Sequence, residues 1–208
     1  MFGFDIMIKV LMLPGILIGL TFHEFAHGYV AYILGDDTAK LRGRLTLNPI
    51  AHLDPLGFLA LLLAGFGWAK PVPVNPLMFR ERKKGMILVS LAGPLMNFFI
   101  AFVTLIIIYI SYYVFNIENE IYNLIMNLIY QVNIGLGVFN LIPVPPLDGS
   151  KILAGFLPYK YEYQMIRMQQ YSYIILIVLL YTGIAGFILE PMRNVIDMAL
   201  NGIVGLFF

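Results

Sequence analysis

Apolar residues come in long runs separated by short polar breaks, a pattern suited to a bilayer more than to a soluble core. Four runs, 6–34, 86–115, 121–142 and 171–189, are long enough to cross a membrane at about 20 residues per crossing. A fifth, 56–68, is short and contains glycine, the pattern of a re-entrant or interfacial segment. The tail 195–208 is apolar but interrupted by Asp197 and Asn201, which predicts a surface helix or partial span. Between the first two long runs the period changes to two. Thr38, Lys40, Arg42, Arg44 and Thr46 alternate with Ala39, Leu41, Gly43, Leu45 and Leu47, the pattern of a half-buried strand. Val72 and Val74, flanked by Pro71 and Pro73, fit only an edge or bulged strand. The expected fold is therefore an all-α polytopic membrane protein. It is a bundle of four to six transmembrane helices with a small membrane-surface β element between the first helix and the next, in one domain over 1–208.

Composition agrees with this environment. The chain is 60% hydrophobic and 12% charged, against about 25% charged in soluble domains. A net charge of +1 gives no case for nucleic-acid binding. There is no cysteine, so disulfides and thiolate ligands are excluded and any metal must be held by His, Asp or Glu. The N-terminal run is too long for a cleavable signal and is expected to remain as a membrane helix; Asp5 and Lys9 cancel there, and 34–37 offers no small-x-small site.

The placement of charge orients the spans. Lys40, Arg42, Arg44, Lys70, Arg80, Arg82, Lys83 and Lys84 fall within 35–85, and Lys151, Lys160 and Arg167 within 143–170. The turn at 116–120 carries Glu118 and Glu120 and no base. By the positive-inside rule the basic segments face the cytoplasm, the acidic turn faces out, and both termini lie outside. Tyr159, Tyr161, Tyr163 and Met165 read as interface anchors and packing residues.

The chemistry concentrates in His23-Glu24-Phe25-Ala26-His27, inside the first apolar run. Residues i and i+4 share one helix face, so two imidazoles can grip one metal ion while Glu24 reaches a water held by it. Ionisable groups within a bilayer are costly, and three together mark a functional site. A second motif, Asn140-Leu-Ile-Pro-Val-Pro-Pro-Leu-Asp148-Gly149, must end its helix, because proline lacks an N–H and displaces the residue before it from α geometry. Irregular backbone at membrane depth has to line a cavity or be buried in protein. A catalytic zinc commonly takes three protein ligands and keeps a fourth position for water. His23, His27 and Asp148 make that set; Asp148 also fits an N-cap for a helix beginning at Ser150.

These motifs, with Ala92-Gly93-Pro94-Leu95-Met96-Asn97 between them, resemble the site-2 protease family of intramembrane zinc metalloproteases. Asn48-Pro49-x-x-His52-x-Asp54-Pro55-x-Gly57 and the stretch from Gly67 to Pro76 resemble a short bacterial and archaeal branch, without inserted PDZ or following CBS domains. The likeness runs from about residue 15 to 155. It implies a multi-pass protein of the cell membrane that cleaves transmembrane protein substrates within or near the bilayer. It also implies one Zn2+ per chain on His23, His27 and Asp148, Glu24 as general base, and an active site toward the cytoplasmic side. The alternatives are a membrane zinc transporter or channel, disfavoured because a transit site needs no Glu between its histidines, and an inactive binder of transmembrane helices, against which the intact Glu24 argues.

Four further readings stay open. Asn140 is either a donor to the reaction's oxyanion or an interhelical hydrogen bonder. His52 is either a solvated loop residue or a contact for substrate or water. The surface β element either captures unwound substrate or ties down a loop against anionic lipid. Gly93-Pro94 would bend or break the second long span, with a packing role as the default for such residues in membrane helices, and Asn97 either bonds to the zinc helix or lines the water path.

Overall fold

Backbone groups in hydrocarbon must be paired within their own segment, and the three longest runs are accordingly helical. The computed structural model describes residues 6–64, 67–158, 167–168 and 170–208. In chain order the helices are α1 (Ile6–Ile33), α2 (Thr38–Leu41), α3 (Pro49–His52), α4 (Pro55–Ala64), α5 (Arg82–Tyr113), α6 (Glu120–Asn140), α7 (Asp148–Phe156), α8 (Ser172–Tyr181) and α9 (Ile184–Val204). Helices α1, α5 and α6 are long and apolar enough to cross a membrane. They pack on one another, and α7 lies against α5. Leu88, Leu95, Phe99, Val103 and Ile107, four or seven residues apart on α5, are exposed large side chains suited to lipid. The inward faces bring Ala101 and Leu105 of α5 against Tyr130, Ile134 and Val138 of α6 and Val204 of α9.

The 56–68 segment is folded as a hairpin-like excursion, which both the re-entrant and the interfacial reading allow. Leu53 and Ala69 form an antiparallel bridge, and Lys70 N–H donates to the His52 carbonyl at 2.9 Å, so the chain enters and leaves at one base. Its arms touch through glycines. A Cβ on Gly57 would lie 2.2 Å from the Trp68 carbonyl oxygen, and one on Gly67 would lie 2.1 Å from that of Gly57. At the far end Lys9 of α1 donates to the carbonyl of Leu62 at 3.0 Å, a cation placed on the last turn of α4 where the helix dipole favours it.

Three expectations are corrected. The fourth run, 171–189, is not one helix: α8 stops, Gly183 takes φ 75°, and α9 starts afresh. Glycine relieves the Cβ clash of that left-handed turn. The tail 195–208 is not a separate surface helix either. Its first part is the second half of α9, which runs antiparallel along α6, with Tyr130 Oη donating to Asp197 at 2.8 Å while Met192 and Ile196 pack on the cluster around Val138. Finally, 38–47 is not a strand. Asp36 accepts from the N–H of Thr38 at 3.0 Å and from its hydroxyl, which starts the short α2; Gly43 at φ 64° then turns the chain. Leu41 is 84% exposed, so the alternation marks no buried face. Val72 and Val74 lie in extended chain without a ladder partner, and among the described residues no sheet forms. Tyr159, Tyr161, Tyr163 and Met165 lie outside the described residues.

Candidate metal centre

His23 and His27 sit one turn apart on α1, facing α5. The approach of α5 depends on Gly93, where a Cβ would lie 2.5 Å from His23 Cε1 and 2.6 Å from His27 Cε1. The helix continues through Pro94, so Gly93-Pro94 does not break it; the glycine makes room for two imidazoles. After α6 the proline-rich turn brings Asp148 back as the first residue of α7. Leu147 occupies the N-cap position of that helix without a side-chain cap bond, so Asp148 is not the N-cap and its carboxylate bonds elsewhere.

Three buried side chains meet here. Nε2 of His23 lies 3.1 Å from Asp148 Oδ2, Nε2 of His27 lies 3.0 Å from the same oxygen, and the two Nε2 atoms are 3.0 Å apart. The opposite ring nitrogens settle the protons. His27 Nδ1 donates to the Val89 carbonyl at 2.6 Å, and a carbonyl can only accept. Asn97 uses its amide N–H groups on Gly19 O and Asn133 Oδ1, both at 3.1 Å, so its Oδ1 accepts from His23 Nδ1 at 2.7 Å. With both Nδ1 protons committed, neutral imidazoles turn two Nε2 lone pairs toward each other and toward a carboxylate oxygen. Three acceptors that close repel unless a cation lies among them. Two imidazole nitrogens and one carboxylate oxygen, all within 4.8 Å, form a donor set that fits zinc with a fourth position open.

Each ligand candidate has a partner holding its far side, the arrangement that orients metal ligands. His23 has Asn97, His27 has the Val89 carbonyl, and Asp148 Oδ1 accepts from Lys151 Nζ at 3.0 Å. Asn97 thus bonds to the histidine helix, one of its two predicted roles. Glu24 Oε2 accepts from the Val72 N–H at 2.7 Å, which ties the carboxylate to the extended segment across the site.

A cavity of about 280 Å³ opens on these groups, lined by His23, Glu24, His27, Pro71, Val72, Val74, Met86, Val89, Ser90, Asn140, Pro146, Asp148 and Lys151. Asn140 therefore reaches the site, although one amide N–H already donates to Leu136 O at 3.0 Å. His52 does not. It is 1% exposed, so it is no solvated loop residue, and its Nε2 donates to the Thr46 carbonyl at 2.7 Å outside the cavity wall. Sequence reasoning passed over Lys151, although its i,i+3 spacing from Asp148 on a helix is a readable signal. It also passed over the Val89 carbonyl, which no side-chain pattern could reveal.

The model of peptidase family M50 matches residues 114–183, the stretch holding Asn140 and Asp148. The chain is 40% identical over 184 residues to YwhC of Bacillus subtilis, covering 86% of this chain and 84% of that protein. It is 29% identical over 179 residues to Rip2 of Mycolicibacterium smegmatis, covering 83% and 67%. A protein of Methanocaldococcus jannaschii matches over 148 residues at 32% identity, covering 71% of this chain and 34% of that one. All three carry the name zinc metalloprotease. No solved structure matches.

Proposed function

Since the chain belongs to peptidase family M50, the site-2 protease family of zinc metalloproteases, we propose that it is an intramembrane protease with one zinc ion on His23, His27 and Asp148. The observation that carries this reading is the meeting of three acceptor atoms within 3.0–3.1 Å of one another with both Nδ1 protons already bound elsewhere. Zinc, when bound, is a Lewis acid that acidifies water and polarises a carbonyl oxygen. Glu24 is the general base. Its Oε2 is fixed by Val72 N–H, and Oε1 takes a proton from water and returns it to the leaving amine nitrogen. Asn140 offers its second amide N–H to the carbonyl oxygen as negative charge develops there. Pro71, Val72 and Val74 form an extended wall along which an unwound stretch of a transmembrane substrate lies, since a helix hides its carbonyls from attack. The cytoplasmic placement of this end of the bundle is supported by the basic residues of 35–85 under the positive-inside rule.

The deciding experiment uses the full chain and a model single-span helix with a Gly or Asn near its cytoplasmic end. Wild type cuts it, and a chelator stops the reaction. Glu24→Gln keeps the side chain's size and the zinc but removes the base, so the rate falls roughly 10²–10⁴-fold. A transit site for zinc would be far less sensitive to that change. Cleavage by Glu24→Gln at the wild-type rate overturns the mechanism.

A further inference from the structure

Three buried side-chain polar atoms have no hydrogen-bond partner among the described residues: Arg44 Nε, His52 Nδ1 and Ser90 Oγ. Of these residues only Ser90 belongs to the cavity wall. Hydroxyls in apolar helices ordinarily bond back to the carbonyl four residues earlier. Thr104 does so to Ile100 at 2.7 Å, and Thr182 to Val178 at 2.8 Å. Ser90, 1% exposed, makes no such bond. A buried hydroxyl left unpaired destabilises a fold, so its partner has to come from what enters the cavity. Its position fits that role. The preceding residue, Val89, orients His27 through its carbonyl, and Gly93, one turn on, touches both imidazoles.

We propose that Ser90 is a substrate-binding residue of this site, whose hydroxyl donates to the carbonyl oxygen of the peptide bond being cleaved. The assignment rests on the protease reading above. Because charge on that oxygen grows as the bond is attacked, the hydrogen bond strengthens in the transition state and acts on kcat more than on KM. Unlike Glu24, Ser90 exchanges no proton.

The test is Ser90→Ala in the full chain, with zinc content, thermal stability and both kinetic constants measured on the single-span substrate. Zinc stays at the wild-type level, and the Tm is unchanged or higher because an unpaired hydroxyl has been removed. The value of kcat falls about 10²-fold, the loss typical of an oxyanion donor, with KM little altered. Cleavage at the wild-type rate overturns the assignment and leaves the protease reading standing. Loss of zinc also overturns it, since Ser90 would then support the metal site. A wild-type protein that binds zinc but cuts nothing overturns the protease reading, and the Ser90 assignment falls with it.

Discussion

The two halves of α5 meet their neighbours with different weights of polar and apolar contact. In the N-terminal half, polar contacts with α1 and α7 (the Val89 carbonyl on His27, Asn97 on His23, Lys83 on the Leu157 carbonyl) join the apolar packing of Met86 and Val89 against Val30, Ala31 and Leu34. In the C-terminal half, α5 meets α6 and α9 through Ala101 and Leu105 against Tyr130, Ile134, Val138 and Val204. Lipid tails are as apolar as leucine, so the second half is held by shape and dispersion spread over many atoms. In the first, a few hydrogen bonds have fixed partners and little slack. Damage should therefore be abrupt at one end and graded at the other.

Gly93→Val gives the largest expected effect. Its Cβ would lie within 2.6 Å of ring atoms on both histidines, so the purified protein should lose most of its zinc by elemental analysis while far-UV circular dichroism stays helical. Full zinc occupancy in that variant would mean that the two helices can part without cost, and the contrast between the halves would collapse. Asn97→Leu comes next. It leaves His23 Nδ1, the Gly19 carbonyl and Asn133 without their shared partner, and loss of such a partner weakens metal affinity by about 10–100-fold. Competition with a metal indicator reads this directly; an unchanged affinity would show that α1 alone sets the imidazole. The smallest effect on the site belongs to the apolar half. Ile134→Ala, at a fully buried position, should cost about 2–5 kcal/mol of stability, seen as a lower Tm, with zinc stoichiometry unchanged. If zinc were lost in parallel, the two halves would be one cooperative unit.

Legibility followed the same division. Discrete chemistry was written in the chain: His23, Glu24 and His27 at helical spacing, and Asp148 after a proline-rich break, all of which line one cavity. That 56–68 makes no full crossing of its own was also readable, because the run is too short. Alternation misled at 38–47, where Asp36 bonding to Thr38 overrode a period-two pattern that buries no face. The break at Gly183 was missed inside an apolar run, although Thr182-Gly183 offers the helix-stop signal of a glycine just past a last turn.

By itself, then, the sequence pointed to the membrane setting and to candidate residues for a metal and a base, because each rests on residue type and local spacing. Tertiary structure alone decided which nitrogen of each histidine faces Asp148, that Gly93 serves close approach, that His52 stays outside the cavity, and that Ser90 is buried in its wall without a partner among the described residues. The contacts that orient the two histidines join atoms 62 to 125 positions apart in the chain. No local pattern records such contacts, since they arise only when separate helices are packed and their remaining polar groups must find partners among one another.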